Sequence, residues 1–135
     1  MVTIVKLHPT LKGEYILEGE AHLIKDSAFI DYSGGILLKT HSSIGERTMI
    51  YTHTHRYKEQ YWQDLPPSEG VIATPLVIEK YAYIGAGVIV IAGVKRIGEF
   101  SFIGAGSVLT HEVPDMELWV GNPARKIRDI IPRKS

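Results

Sequence analysis

The chain contains no cysteine, which removes disulfides, thiolate nucleophiles and cysteine-ligated zinc from consideration together. Net charge is missing as well: 15 Lys and Arg residues balance 15 Asp and Glu, so no overall field draws the molecule to nucleic acid or an anionic membrane. The longest uncharged stretch, Tyr81–Val94, is shorter than the ~20 apolar residues of a membrane-spanning helix. The opening residues, MVTIVKLHPTLKGEY, lack the basic start, apolar middle and small-residue cleavage site of a secretory signal. These absences predict a soluble, cytoplasmic protein with no nucleic-acid partner and no membrane insertion. What is present, 44% hydrophobic residues in a chain of 135, suffices for the core of one domain, residues 1–135.

The hydrophobic residues are ordered by a repeat. Large aliphatics return every six residues at Ile78, Ile84 and Val90, and again at Ile97, Ile103 and Leu109, with one extra residue between the two sets. Four places after each stands a small or β-branched residue: Ala82, Val88, Val94, Ser101, Ser107 and Val113. The first half repeats the grammar at Ile24, Ile30 and Ile36 and, two residues out of phase, at Leu38, Ile44 and Ile50. A period of six fits no helical face, but it fits short strands joined by tight corners, with the aliphatic inside and the small residue at a crowded corner. Gly85, Gly98 and Gly104 follow their aliphatics directly, supplying backbone where a side chain would clash. They do not make a dinucleotide loop, because Gly85-x-Gly87 leads to Val90 and Gly104-x-Gly106 to Leu109, where that fingerprint needs a third glycine.

The run IGAGVIVIAGVKRIGEFSFIGAGSVLTHEVPDMELWVGNPARKIR, together with MIYTHTH and the non-repetitive residues after it, resembles the hexapeptide-repeat acyltransferases, specifically the sugar O-acetyltransferases related to maltose, galactoside and nodulation-factor acetyltransferases. The resemblance implies an all-β fold: a left-handed parallel β-helix with one long protruding loop and a short C-terminal helix, assembled as a homotrimer. Residues 1–23 and 118–135 then read as caps on the open strand edges, and 56–77 as an active-site loop. Its implied activity is transfer of an acetyl group from acetyl-CoA, the co-substrate, to a hydroxyl of a sugar or polysaccharide precursor, without a metal. N-acetylation of an amino sugar or small amine is an alternative, as is a non-catalytic trimeric scaffold.

The resemblance also assigns residues. His55, at the sixth place of the hexapeptide that opens at Ile50, becomes the general base. A neutral imidazole with a reference pKa near 6.5 suits that role at cellular pH. Asp31, His53, Tyr57 and Trp62 fall on the acceptor side, the aromatics offering faces to a sugar ring. Tyr83, Ala86 through its main chain, Ala105 and Thr110 fall on the CoA side. Asn122 and Pro123 read as the start of the short helix, and Arg125 and Arg128, three apart, would share its phosphate-binding face. Where relatives commonly have TKDVP this chain has Thr110-His111-Glu112-Val113-Pro114, which replaces a phosphate-facing lysine by histidine. A zinc hydro-lyase reading would need three converging histidines with a pair five apart, whereas His53 and His55 are two apart.

Overall fold

The computed structural model describes residues 1–55 and 70–131. Its chain visits three parallel sheets in rotation, so that each circuit adds one strand to each sheet. The first face stacks Thr3–Val5, Phe29–Asp31, Met49–Ile50, Ile89–Val90 and Val108–Leu109; the second stacks Tyr15–Leu17, Ile36–Leu38, Leu76–Ile78 and Arg96–Ile97. The third begins with Leu23–Ile24, Ser43–Ile44, Tyr83–Ile84 and Phe102–Ile103 and ends with Glu117–Gly121 and Ala124–Asp129. None of the strands that form the three faces up to Leu109 exceeds three residues, because a corner interrupts the chain before a longer ladder can form.

The six-residue period is the interior of this prism. Ile30, Ile50, Val90 and Leu109 lie in register on the first face, Leu38, Ile78 and Ile97 on the second, and Ile44, Ile84 and Ile103 on the third. All ten are fully buried, each contributing roughly 1.5–3 kcal/mol against exposure. The small corner residues Ala28, Ser42, Thr48, Ala82, Val88, Val94, Ser101, Ser107 and Val113 are buried too. Thr54 is an exception at its place in the repeat: it is exposed, because the chain leaves the prism after Thr52 to form the antiparallel pair His53–His55 with Val71–Ala73.

Both irregularities of the repeat have structural counterparts. The two-residue phase slip lengthens one circuit, so Phe29 pairs with Met49 twenty residues on. The extra residue before Ile97 makes Tyr83 pair with Phe102 nineteen on. At that second corner Arg96 donates from Nε to Glu79 Oε2 at 2.8 Å and from Nη2 to Asp115 Oδ1 at 2.6 Å, while Lys39 Nζ lies 2.8 Å from Glu79 Oε1. The charges thus run as a ladder across successive coils. Burial of the Glu79 carboxyl pushes its pKa up, but the two cations outweigh this and hold it below the ordinary value.

Close coil-to-coil contact explains the glycine at Gly45. A Cβ there would lie 2.5 Å from Ala86 N and 2.5 Å from Gly85 C, atoms that cannot yield without moving the next coil. Gly45→Ala is therefore expected to cost about 1–3 kcal/mol, as overpacking does, read as a lowered midpoint in thermal unfolding.

The expected C-terminal helix is not formed. Asn122–Pro123, joined by a cis peptide bond, is instead the turn of a hairpin, and Ala124–Asp129 runs antiparallel to Glu117–Gly121. Asn-Pro signals a helix start locally, but Glu117–Gly121 ends the third face with an open edge, and a returning strand satisfies its backbone donors and acceptors. Arg125 and Arg128 nevertheless share a face, for a different reason. They stand opposite Val120 and Leu118, and a bulge beside Leu118 and Trp119 absorbs the odd residue between them. The repeat also resumes at Leu76, within the span expected as loop, since Leu76–Ile78 pairs in register with Ile36–Leu38. Among the described residues no helix is long and apolar enough to cross a membrane.

Candidate active site

Asp31 is the hub of the site. It ends the strand Phe29–Asp31 at a corner, is completely buried, and can stay ionised there only if its oxygens are fully bonded. Oδ1 accepts from Ser33 N at 3.0 Å, Ser33 Oγ at 2.5 Å and Leu7 N at 3.1 Å. Oδ2 accepts from Thr52 N at 3.2 Å and His53 Nδ1 at 2.5 Å. Burial pushes the carboxyl pKa up, but the bonds from Ser33, His53 and Leu7 outweigh it and hold the group below the usual range. The bond from Ser33 N two residues on is an Asx-type turn, so Asp31-Tyr32-Ser33 was a readable signal that sequence reasoning passed over.

A carboxylate only accepts, so Nδ1 of His53 carries a proton, and in the neutral ring the lone pair is on Nε2. Thr52, just before it, is fixed from several sides: its Oγ1 donates to Asp31 O at 2.7 Å and accepts from Gly34 N at 2.9 Å, and its carbonyl accepts from Thr74 N at 2.8 Å. The strand His53–His55 therefore leaves the prism at a set angle. Strand alternation puts His53 and His55 on one face of the ribbon with Thr54 on the other, and their rings meet edge to face at 5.5 Å between centroids. The His53 side chain is 10% exposed, while His55 stands exposed.

The proposed cofactor residues lie elsewhere on the prism. Ala86 and Ala105 stack at the corner before the first face, where Gly106 N donates to Ala86 O at 2.9 Å. Thr110 follows that face, on the same side as the histidines. Tyr83 stacks on Phe102 at 4.7 Å and 16°, and Phe102 shares a cleft of about 280 Å³ with Leu118, Arg128 and Ile130. Tyr83 and Arg128 thus adjoin one surface. Asp31, His53 and His55 lie together, but Asp31, expected on the acceptor side, is completely buried with both oxygens bonded within the protein and so supports His53 without facing an acceptor; Ala86 and Ala105 sit across the first face from them. Tyr57 and Trp62 lie outside the described residues. Among the described residues no group of three His, Cys, Asp or Glu side chains has the geometry to hold a metal ion.

No protein-family model matches the chain. The chain is 38% identical over 97 residues to the galactoside O-acetyltransferase of Lactococcus lactis subsp. lactis, covering 70% of this chain and 44% of that one. It is 49% identical over 49 residues to the dTDP-3-amino-3,6-dideoxy-alpha-D-galactopyranose 3-N-acetyltransferase of Aneurinibacillus thermoaerophilus, covering 36% and 25%. The chain thus spans less than half the length of these curated relatives. A hexapeptide-repeat acetyltransferase of Vibrio cholerae O1 biovar eltor, solved with acetyl coenzyme A, superposes with a TM-score of 0.66 at 31% identity, covering 87% of this chain and 66% of that one. Three-sheet winding, an interior written in sixes and these likenesses agree: the chain is a left-handed parallel β-helix whose homologues and structural neighbours are hexapeptide-repeat acetyltransferases.

Proposed function

We propose that the protein transfers an acetyl group from acetyl-CoA to a hydroxyl of a sugar or polysaccharide precursor by direct attack. The carrying observation is the pair of imidazoles on one face of the His53–His55 ribbon, rooted on a buried carboxylate, in a chain whose relatives act in sugar acetylation by name. The acceptor oxygen adds to the thioester carbonyl as its proton passes to His55. The tetrahedral intermediate then expels the CoA thiolate, which takes the proton back from the imidazolium. With no cysteine in the chain, no acyl-cysteine is formed. His55 is assigned the proton because it is the exposed member of the pair, and a base must reach the hydroxyl it serves. The Ala86 N–H is assigned to the developing oxyanion, a role worth about 3 kcal/mol where a single donor has been removed from other enzymes.

Two further readings have observations behind them. The fixed tautomer of His53 makes it the competing base, since Asp31 presents its Nε2 lone pair ready for a proton. An amino group could replace the hydroxyl, as the likeness to an amino-sugar N-acetyltransferase suggests; the same histidine would then remove the amine proton.

CoA is assigned to Tyr83, Ala105, Thr110, Arg125 and Arg128, the two guanidiniums meeting its phosphates. Assembly as a homotrimer would bring the histidine corner of one subunit near the cofactor surface of the next. Thermal unfolding with acetyl-CoA tests this reading. At a hundred times its dissociation constant the ligand should add about 2.7 kcal/mol, a gain reduced in Arg125→Ala and Arg128→Ala. No shift at millimolar acetyl-CoA would overturn the donor assignment and move the reading to another acyl donor or to a non-catalytic scaffold.

A further inference from the structure

The N-terminal segment does more than close the end of the prism. Thr3–Val5 pairs with Phe29–Asp31 and caps the open edge. Beyond Val5, however, the chain is tied to the hub of the active site. Leu7 N donates to Asp31 Oδ1 at 3.1 Å, and His8 N donates at 2.8 Å to Ser33 Oγ, whose own hydroxyl donates to Asp31. One buried carboxylate therefore fixes both the His53 ring and the backbone that carries His8.

The consequence is a triangle of imidazoles. The His8 ring centroid lies 5.9 Å from that of His53 and 6.1 Å from that of His55, close to the 5.5 Å between the latter two. Thr10 Oγ1 engages His8 Nδ1 at 2.8 Å, which holds one ring nitrogen and leaves Nε2 for another partner. Leu11 N donates to His8 O at 3.1 Å and closes a turn around the residue. Covering a strand edge requires only backbone pairing; it does not require a half-buried imidazole held beside two others at the base of the catalytic ribbon.

We propose that His8 is an acceptor-binding residue, so that the N-terminal segment forms one side of the acceptor pocket and hydrogen-bonds a sugar hydroxyl beside the one that reacts. The assignment rests on the acetyl-transfer reading above. Imidazole nitrogens can donate or accept, which suits a polyhydroxylated ring. His8 is held to the site through its main chain, so replacing its side chain leaves the bond to Ser33 intact and the segment in place.

The test is steady-state kinetics of the full chain and of His8→Ala and His8→Gln, with acetyl-CoA and a panel of p-nitrophenyl β-D-galactoside, maltose and glucosamine. For the substrate turned over best, His8→Ala should raise the acceptor KM at least fivefold and change kcat less than twofold, with Gln recovering part of the loss. The thermal midpoint and the acetyl-CoA shift should match those of the parent. An unchanged acceptor KM in both variants would overturn the role of His8 while leaving acetyl transfer standing, and so would a fall in kcat without a change in KM. Turnover of no panel member, with no acetyl-CoA shift, would overturn both.

Discussion

Replacing His55 by alanine is expected to lower turnover by about 10²–10⁴-fold, the usual contribution of a positioned base, with the fold and the acetyl-CoA-induced thermal shift preserved. The residue is exposed and lies on a ribbon outside the aliphatic core, so its loss removes no core packing. His53→Ala is the informative partner. Its ring is bonded to Asp31, so its removal withdraws the partner of a buried carboxylate and lowers stability as well. A turnover loss confined to His53→Ala, with His55→Ala near the parent, would move the base to the competing residue.

Asp31→Asn should have the largest effect on stability. Asn keeps an oxygen for Ser33 and Leu7 but puts an NH₂ group against the N–H of Thr52 and Nδ1 of His53. The imidazole can then meet it only by moving its proton to Nε2. Breaking a buried, charge-assisted network of this kind costs roughly 2–4 kcal/mol, read as a lowered midpoint at neutral pH. The pH dependence has a definite sign. The folded carboxyl lies below its ordinary pKa, so its contribution is fully present above the unfolded value near 3.9 and is lost as pH falls through the lower folded value. Unfolding followed from pH 7 to pH 3 should show the gap between parent and variant closing only at the acid end. A gap constant over the whole range would mean that Asp31 acts through packing and not through charge.

Much of the fold was legible because the prism imposes a short period. Each circuit reuses three faces, so an interior position recurs every six residues, and a residue that breaks the count must appear as an extra residue at a corner. The slip before Leu38 and the insertion before Ile97 became the longer circuits seen in the register. The C-terminal segment was misread for the opposite reason. Asn122-Pro123 carries a local helix-start signal, whereas the strand it became was decided by the open edge of Glu117–Gly121, which no local pattern records.

The site divides in the same way. The His-x-His spacing puts two imidazoles on one side wherever that segment is a strand, but its departure from the prism after Thr52, ahead of the loop expected from residue 56, was decided by pairing with Val71–Ala73. The sequence could not reveal that Asp31 binds His53 across 22 residues or that Leu7 reaches the same carboxylate across 24. Neither bond follows from a period, because each joins corners of successive coils whose alignment depends on how many residues every intervening turn consumes. Sequence therefore determined the stacked aliphatic interior, a consequence of local periodicity and burial. Tertiary structure alone decided that one buried carboxylate anchors both His53 and the segment carrying His8, because only coil-on-coil register brings those distant corners within hydrogen-bonding reach.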